Sequence, residues 1–349
     1  MSPLQFRATT PEDAGAVAAF LKRIFGIGAE NSCVEPHHLH WKNWEERPDW
    51  PGSRGYILIR NEEIVAHATV VPLSSSSEEP GFKMAHLIDW AAEPKSVGSG
   101  ATLLKRIVQS SADAILAFGG SEMTQKILPA LGFKQCGQVA KYVRPLRPVR
   151  RLAAQKFTWR GGARVIRSVV WKLQAPRVRL DGWEARRVEA VDLASTAIPW
   201  PVSGQGITRF GRTPEMIAYY LRCPAAPMEF YAVAKEGLVR GYFMLAFVPA
   251  QARIVDFWMD SGEREDWRAL IELTGRQAAR NTSIAEIVSL SSDPVSSHAL
   301  LDAGFHEYGI EPLRLLAPHH KDLAGLTIGF RMLDADTAYL HQDAGEFRA

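Results

Sequence analysis

The sequence predicts an α/β protein made of two similar domains, each a mixed and mostly antiparallel sheet flanked by helices. Two patterns indicate the elements: short apolar runs between turn residues are typical of strands, and apolar residues three or four positions apart are typical of helices. A third observation sets the number of domains. The same order of elements occurs twice along 349 residues, a length that suits two cores better than one.

Each domain is predicted to open with a strand, a helix and a hairpin. Residues 6–13 are a short strand followed by Thr-Thr-Pro-Glu-Asp, which is typical of a helix N-cap with acids in the first turn. Residues 183–192 are the counterpart in the second domain. The hairpin spans residues 56–70 in the first domain and residues 231–245 in the second, in both cases around a short polar turn.

The remaining elements also repeat. A buried strand at residues 87–90 or 254–258 leads into an amphipathic helix, and a further strand follows at residues 114–118 or 286–290. Both domains then have a short helix that ends in Gly-Phe, where glycine accepts the left-handed conformation at a helix C-terminus. The predicted boundaries are residues 1–145 for the first domain, 146–181 for a connector and 182–349 for the second domain.

The composition is that of a globular protein, with 46% apolar residues, 23% charged residues and a formal net charge of +3. The three cysteines lack metal-ligand spacing, which predicts reduced thiols. The sequence shows no N-terminal signal pattern and no apolar run long enough to cross a bilayer, so a cytoplasmic protein is predicted. The charge is uneven, because residues 145–180 carry ten basic residues and no acidic one. Such a segment alone does not predict DNA binding, which requires a basic face on a folded domain.

The connector at residues 146–181 is predicted to contain a helix. Ile166, Val169, Val170 and Leu173 form one apolar stripe along it, with arginines nearby. The favoured interpretation is a basic helical linker that packs this stripe against a domain. The alternative is a basic amphipathic helix that contacts an anionic membrane surface or a partner.

A glycine-rich turn lies between the fourth strand of the first domain and the next helix. It reads Pro94-Lys95-Ser96-Val97-Gly98-Ser99-Gly100-Ala101. Glycines allow the backbone N–H groups of a turn to approach a ligand, and the helix N-terminus adds a partial positive charge. The turn therefore predicts a phosphate cradle, although it lacks the patterns of a Walker loop and of a dinucleotide fingerprint.

This turn resembles motif A of the GNAT superfamily of N-acetyltransferases, in which glutamine or arginine precedes a Gly-x-Gly. Lys95 replaces that first residue, and the helix end at Gly132-Phe133 is similar to the family's motif B. The resemblance covers residues 4–145 well and residues 182–335 more weakly. It implies acetyl-CoA or another acyl-CoA as cofactor, with the pyrophosphate on the loop amides and the pantetheine beside the preceding strand. The binding residues that it implies are Ala91, Ala92, Lys95, Ser96, Val97, Gly98, Ser99, Gly100 and Ala101.

The second domain departs from this pattern. Its corresponding turn, residues 261–267, has one glycine and three acids, and the acids would repel a pyrophosphate. We therefore expect the second domain to be degenerate and to bind no acyl-CoA.

N-acyl transfer requires a proton acceptor for the attacking amine. Asp89 is the predicted catalytic base, because it precedes the implied pantetheine contact and burial there would raise its pKa toward a useful range. A structural acid is the alternative, since the counterpart Asp256 lies in the domain without a cradle. The resemblance also implies a tyrosine acid four residues before Gly-Phe, but Leu128 and Leu300 occupy these positions. Tyr142 is close in sequence but falls on a later predicted strand.

The predicted function is that of an N-acyltransferase, most simply an N-acetyltransferase, which moves an acyl group from acyl-CoA to an amine of a small molecule, a sugar or a peptide. The missing tyrosine keeps a second interpretation open, a non-catalytic protein that senses CoA or serves as a scaffold. A third is an aminoacyl-tRNA-dependent transferase, in which the basic residues 146–180 would bind the RNA. No metal site is predicted.

Overall fold

Twelve strands of the described chain form one continuous sheet that extends through both halves of the protein. The structure is a computed structural model and describes residues 3–29, 31–73, 82–150, 159–176, 178–203, 207–320, 327–341 and 348. Residues 151–158 and 177 of the predicted connector lie outside the described residues.

The first half follows the order of elements that the repeat predicts. Its elements are β1 (Gln5–Ala8), α1 (Ala14–Phe25), α2 (Pro36–Asn43), β2 (Gly55–Arg60), β3 (Glu63–Leu73), β4 (Met84–Ala92), α3 (Ser99–Ser110), β5 (Ala114–Ala117), α4 (Glu122–Ala130) and β6 (Lys134–Pro145). Local signals set the helix ends. Gly26 closes α1 in the left-handed conformation, and the Ser121 side chain accepts the backbone N–H of Thr124 at the start of α4.

The second half repeats this order behind a connecting helix. Its elements are α5 (Trp159–Gln174), β7 (Trp183–Val188), β8 (Ile207–Arg209), α6 (Pro214–Leu221), β9 (Met228–Lys235), β10 (Leu238–Val248), β11 (Gln251–Met259), α7 (Arg264–Arg280), β12 (Glu286–Ser291), α8 (Pro294–Asp302), β13 (His306–Leu316) and β14 (Thr327–Gly329). β8 and β14 pair with each other outside the main sheet. Of the helices in the described ranges, none has the length and apolar character needed to cross a membrane.

The two halves exchange their last strands. β13 of the second half lies between β5 and β6 of the first half, and β6 lies between β13 and β12. The strand order in the sheet is β1-β2-β3-β4-β5-β13-β6-β12-β11-β10-β9-β7. The order is the same from either end once each strand is replaced by its equivalent in the other half. The predicted α/β class with mostly antiparallel pairing and flanking helices is confirmed. The two copies share one sheet, however, because the exchange covers one edge of each half-sheet with strands of the other half.

Alternation along β2 separates the two faces of the first half. Leu58 contacts the core under α3, and the adjacent Ile57 contacts the core under α1 and α2. On the latter side Trp41 of α2 stacks on Tyr219 of α6, with ring centroids 4.7 Å apart. The C-terminal segment, residues 327–341, packs into the same core, so three parts of the chain meet on this face of the sheet.

Candidate active site

The glycine-rich turn joins β4 to α3 and presents free backbone amides. Gly98 is the N-cap of α3, with φ 82° and ψ −5°, a left-handed conformation that favours glycine. The N–H groups of Val97, Gly98, Gly100 and Ala101 donate no hydrogen bond to any residue that the structure describes. A Cβ on Gly98 would have no atom within 4 Å, so the turn is open at this residue. This geometry fits an anion such as a pyrophosphate.

The second glycine of the turn has a different role, which is packing. A Cβ on Gly100 would lie 3.2 Å from the Cβ of Ala92 and 3.3 Å from Nε1 of Trp90. The indole N–H of Trp90 also donates to the carbonyl of Gly100 over 3.1 Å. Gly100 therefore allows the first turn of α3 to lie against the end of β4, where Ala91 and Ala92 are located.

Two positively charged side chains lie on or beside the turn. Lys95 is exposed on the turn. Arg60, the last residue of β2, donates from Nη1 to Oγ of Ser96 over 3.3 Å, and its buried Nε has no partner among the described residues. Sequence reasoning missed Arg60, because only the pairing of β2, β3 and β4 brings the hairpin beside the turn.

Ser96 and Ser99 hold the turn together rather than face a ligand. Both side chains are buried, and Oγ of Ser99 donates to the carbonyl of Val65 over 3.2 Å. Their N–H groups are also engaged, with the carbonyls of Glu93 and Ser96 respectively. Within the turn, the four free amides and the exposed Lys95 side chain are therefore the groups still available to a cofactor.

β4 and β5 pair only at their start, which leaves an opening between them. The register joins residues 84–86 to residues 114–116, and β4 then continues to Ala92 whereas β5 ends at Ala117. Beyond residue 86 this edge of β4 has no strand neighbour in the described part of the chain. Its backbone groups are therefore available to an extended ligand such as pantetheine.

Asp89 lies in a bulge of β4, with φ 48°. Its buried carboxylate forms an ion pair with Lys42 of α2 and accepts a hydrogen bond from Sγ of Cys33 over 3.2 Å. Burial is the largest single effect and raises the pKa of Asp89, but the charge and hydrogen bond of Lys42, together with His67 and Cys33, bring the pKa below its ordinary value. This direction is opposite to the expected one, and a carboxylate of low pKa is a weak proton acceptor. The counterpart Asp256 is paired in the same way, with Arg212 at 2.7 Å.

A second carboxylate, that of Asp336, is an electrostatic neighbour of this ion pair. Asp336 begins a short 3₁₀ helix in the C-terminal segment. Burial and the charge of Asp89 raise its pKa to about 7, against the opposing effect of Lys42. A group with this pKa can both accept and release a proton at neutral pH. Sequence reasoning missed Asp336, because no local pattern connects the C-terminal segment with strand β4.

A cavity of about 440 Å³ lies between the two halves. Its polar lining comes from Asn31, Lys141, Gln251, Arg253, Tyr308, Glu311, Thr337, His341 and Arg348. Lys141 forms an ion pair with Glu311, and Arg253 donates to Gln251 and to the carbonyls of Thr337 and Leu340. The loop at residues 118–120, which follows β5 directly, also lines the cavity. The cavity therefore reaches the C-terminal end of β5, and its volume is that of a small-molecule site.

The second half has no comparable cradle. The turn before α7 satisfies the start of that helix with its own side chains. Oγ of Ser261 accepts the N–H of Glu263 over 3.1 Å and donates to Asp266 over 2.7 Å, and the indole of Trp267 donates to the carbonyl of Ser261 over 2.8 Å. In this turn, acids occupy the place where an anion would bind, and that half's lack of acyl-CoA binding stays a prediction.

Arginine side chains fill the opening between β11 and β12. Arg331 of the C-terminal segment donates to Oγ of Ser291 over 3.1 Å and to Asp293 over 3.5 Å, and its guanidinium lies 4.7 Å from the ring centroid of Phe257. Arg209 also binds Asp293, at 2.9 Å. The second half thus occupies its own opening with its own residues.

No tyrosine stands at the position that the family resemblance implies. Leu128 and Leu300 are fully buried in the cores of their halves. Tyr142 belongs to the core of the second half. Tyr308 lines the cavity instead, and burial raises its pKa to about 12, so its hydroxyl is protonated at neutral pH.

Comparison with solved structures confirms a tandem GNAT fold. A conserved protein of unknown function and probable N-acyltransferase from Enterococcus faecalis V583 matches with TM-score 0.57 and 12% identity, over 92% of this chain and 74% of that one. A GCN5-related N-acetyltransferase from Anabaena variabilis matches with TM-score 0.56 and 11% identity, over 90% and 73%. A tandem GNAT protein from the clavulanic acid biosynthesis pathway matches with TM-score 0.55 and 11% identity, over 90% and 98%. No family model and no curated protein matches the sequence.

Proposed function

We propose that the protein is an N-acyltransferase that takes its acyl group from acetyl-CoA, or another acyl-CoA, bound in the first half. The observation that carries the proposal is the turn before α3, where a left-handed glycine and free amides stand at a helix N-terminus. The bound cofactor supplies the acyl group as a thioester. The free edge of β4 would hold its pantetheine arm.

The amides of Gly98, Gly100 and Ala101 donate to the pyrophosphate in this proposal. Lys95 and Arg60 add two positive charges, and the partnerless Nε of Arg60 gains an acceptor. Gly100 acts indirectly, because its close contact with Trp90 and Ala92 fixes the start of α3 relative to β4. The cofactor is thereby aligned with the opening between β4 and β5.

The acceptor amine occupies the cavity between the halves. A small molecule with a free amine fits the cavity volume of about 440 Å³. Asp336 takes the proton from the attacking amine in this proposal, because its pKa is about 7 and it directly precedes Thr337, which lines the cavity. Asp89 remains ionised and holds Lys42, so it is assigned a positioning role rather than a catalytic one.

Calorimetric titration with acetyl-CoA tests the cofactor site, with a Gly98→Glu variant and a matched Gly262→Glu control. Gly262 lies in the corresponding turn of the second half and is equally open, since a Cβ there would also have no atom within 4 Å. A carboxylate at residue 98 would repel the pyrophosphate, so we expect Gly98→Glu to weaken binding at least about 100-fold. Gly262→Glu is expected to leave the affinity unchanged.

Two results would overturn the assignment. One is the absence of acetyl-CoA binding to the unmodified protein. The other is an equal loss of affinity in both variants, which would indicate a general effect of the added charge or of misfolding, and circular dichroism would separate these.

A non-catalytic CoA-binding protein is the second candidate, and the leucine at residue 128 favours it. This candidate predicts the same titration result but no turnover. Release of free CoA in the presence of a panel of amines, including amines with a carboxylate or phosphate group, discriminates between the two. Binding without CoA release for every amine would favour the non-catalytic protein.

A further inference from the structure

Helix α5 carries an apolar face that no described residue covers. Ile166, Val169, Val170 and Leu173 are 67%, 37%, 42% and 79% exposed, respectively. They recur at the three- and four-residue spacing of one helix face. The sequence favoured a helical connector packed on a domain; α5 does pack on the protein, but through its other face, so this stripe remains largely exposed.

The opposite face of α5 attaches the helix to the protein. Val165 and Ser168 are buried, and Trp171 stacks on His306 of β13 with ring centroids 4.0 Å apart. α5 also contacts β6. Because this second face is already engaged, the helix cannot rotate its apolar stripe inward without losing these contacts.

Basic residues flank the apolar stripe on both sides. Arg167 follows Ile166 and Lys172 precedes Leu173 on the same helix, and Arg167 lies over the ring of Trp171 at 4.5 Å. The helix is part of the segment at residues 145–180, which has ten basic residues and no acidic one. A flat apolar strip edged by cations is complementary to a surface that is apolar inside and negatively charged outside.

We propose that α5 is a membrane-contact helix that lies in the plane of an anionic lipid surface, with Ile166, Val169, Val170 and Leu173 inserted between the headgroups. Charge complementarity favours this occupant over a nucleic acid, because a phosphate backbone gives the four apolar side chains no partner. It also disfavours a second copy of the same chain, since two such helices would bring their arginines together. The proposal is independent of the acyltransferase function.

Flotation with lipid vesicles tests the proposal on the full chain. One vesicle preparation is phosphatidylcholine alone, and the other contains about one-quarter phosphatidylglycerol. We expect binding to the anionic vesicles only, with a decrease at high salt. The double variant Ile166→Ser/Leu173→Ser is expected to lower the partition coefficient at least about tenfold. Arg167→Gln and Lys172→Gln are each expected to lower it about fivefold.

The matched control is Val191→Ser/Leu238→Ser, which removes two apolar side chains that are also exposed but lie outside α5. It is expected to bind the anionic vesicles like the unmodified protein. The proposal is wrong if the unmodified protein floats with neither preparation, or if the stripe variant and the control bind alike. It is also wrong if light scattering shows an oligomer that only the stripe variant dissociates while vesicle binding persists, because the stripe is then an interface between copies.

Discussion

Replacing Arg212 with methionine is expected to lower the free energy of unfolding by about 3–5 kcal/mol or more. Arg212 is buried and is bound to two carboxylates, that of Asp256 at 2.7 Å and that of Asp334 at 2.7 Å. Its removal leaves both carboxylates without their cation in the core of the second half. Urea denaturation monitored by tryptophan fluorescence measures the change.

The loss should depend on pH. Burial already raises the pKa of Asp334 despite the opposing charge of Arg212. In Arg212→Met the pKa of Asp334 rises further above its value in the unfolded chain, so the variant loses stability as the pH increases through that raised pKa. The difference from the unmodified protein should therefore be larger at pH 8 than at about pH 5.

Two further variants control this prediction. Arg222→Met breaks the exposed ion pair with Glu45 and is expected to cost less than about 1 kcal/mol. Adding Asp256→Asn and Asp334→Asn to Arg212→Met should recover part of the lost stability, because the unpaired charges are then removed. A loss for Arg212→Met as small as that for Arg222→Met would contradict the buried role of Arg212.

Replacing Asp336 with asparagine is expected to lower kcat about 10²–10⁴-fold at pH 8, if the acyltransferase proposal holds. The variant keeps the volume and polarity of the side chain but cannot accept the proton of the amine. In the unmodified protein, the rate should fall as the pH decreases below about 7, since Asp336 then becomes protonated. This acid limb should disappear in Asp336→Asn, while the affinity for acetyl-CoA stays unchanged.

Asp260→Asn is the matched control, because Asp260 is exposed in the turn before α7 and contributes nothing to the first half. If Asp89→Asn removes the acid limb and Asp336→Asn retains it, Asp89 is the base that the sequence predicts. A pH profile that none of these substitutions changes would remove both carboxylates from the mechanism.

The same substitution has a consequence for stability that does not depend on catalysis. The pKa of Asp336 is raised in the folded protein, so its ionisation opposes folding as the pH increases through about 7. We therefore expect Asp336→Asn to be more stable than the unmodified protein at pH 8, by about 4 kcal/mol, and nearly equally stable at about pH 4. Thermal unfolding at both pH values checks this. A variant that is less stable at pH 8 would show that Asp336 is needed for packing.

The order of the elements was determined by the sequence alone, because it depends on local patterns. The period of apolar residues indicated strands and helices, and the internal repeat indicated two equivalent halves. The turn at residues 94–101 was found in the same way, since glycine placement between a strand and a helix is visible over a few residues. The acids at residues 261–267 also marked the second half as degenerate without any tertiary information.

Only the tertiary structure showed which segments of the chain are in contact. Each of these features joins segments that are far apart in the chain: the exchange of β6 and β13, and the pairing of Asp89 with Lys42. The same holds for the position of Asp336 near that pair and for Arg331 in the opening of the second half. The lowered pKa of Asp89 followed from such contacts, because Lys42, His67 and Cys33 together outweigh burial. The stripe on α5 shows the same limit: its period predicts an apolar helix face, but whether protein covers that face is decided by packing at a distance.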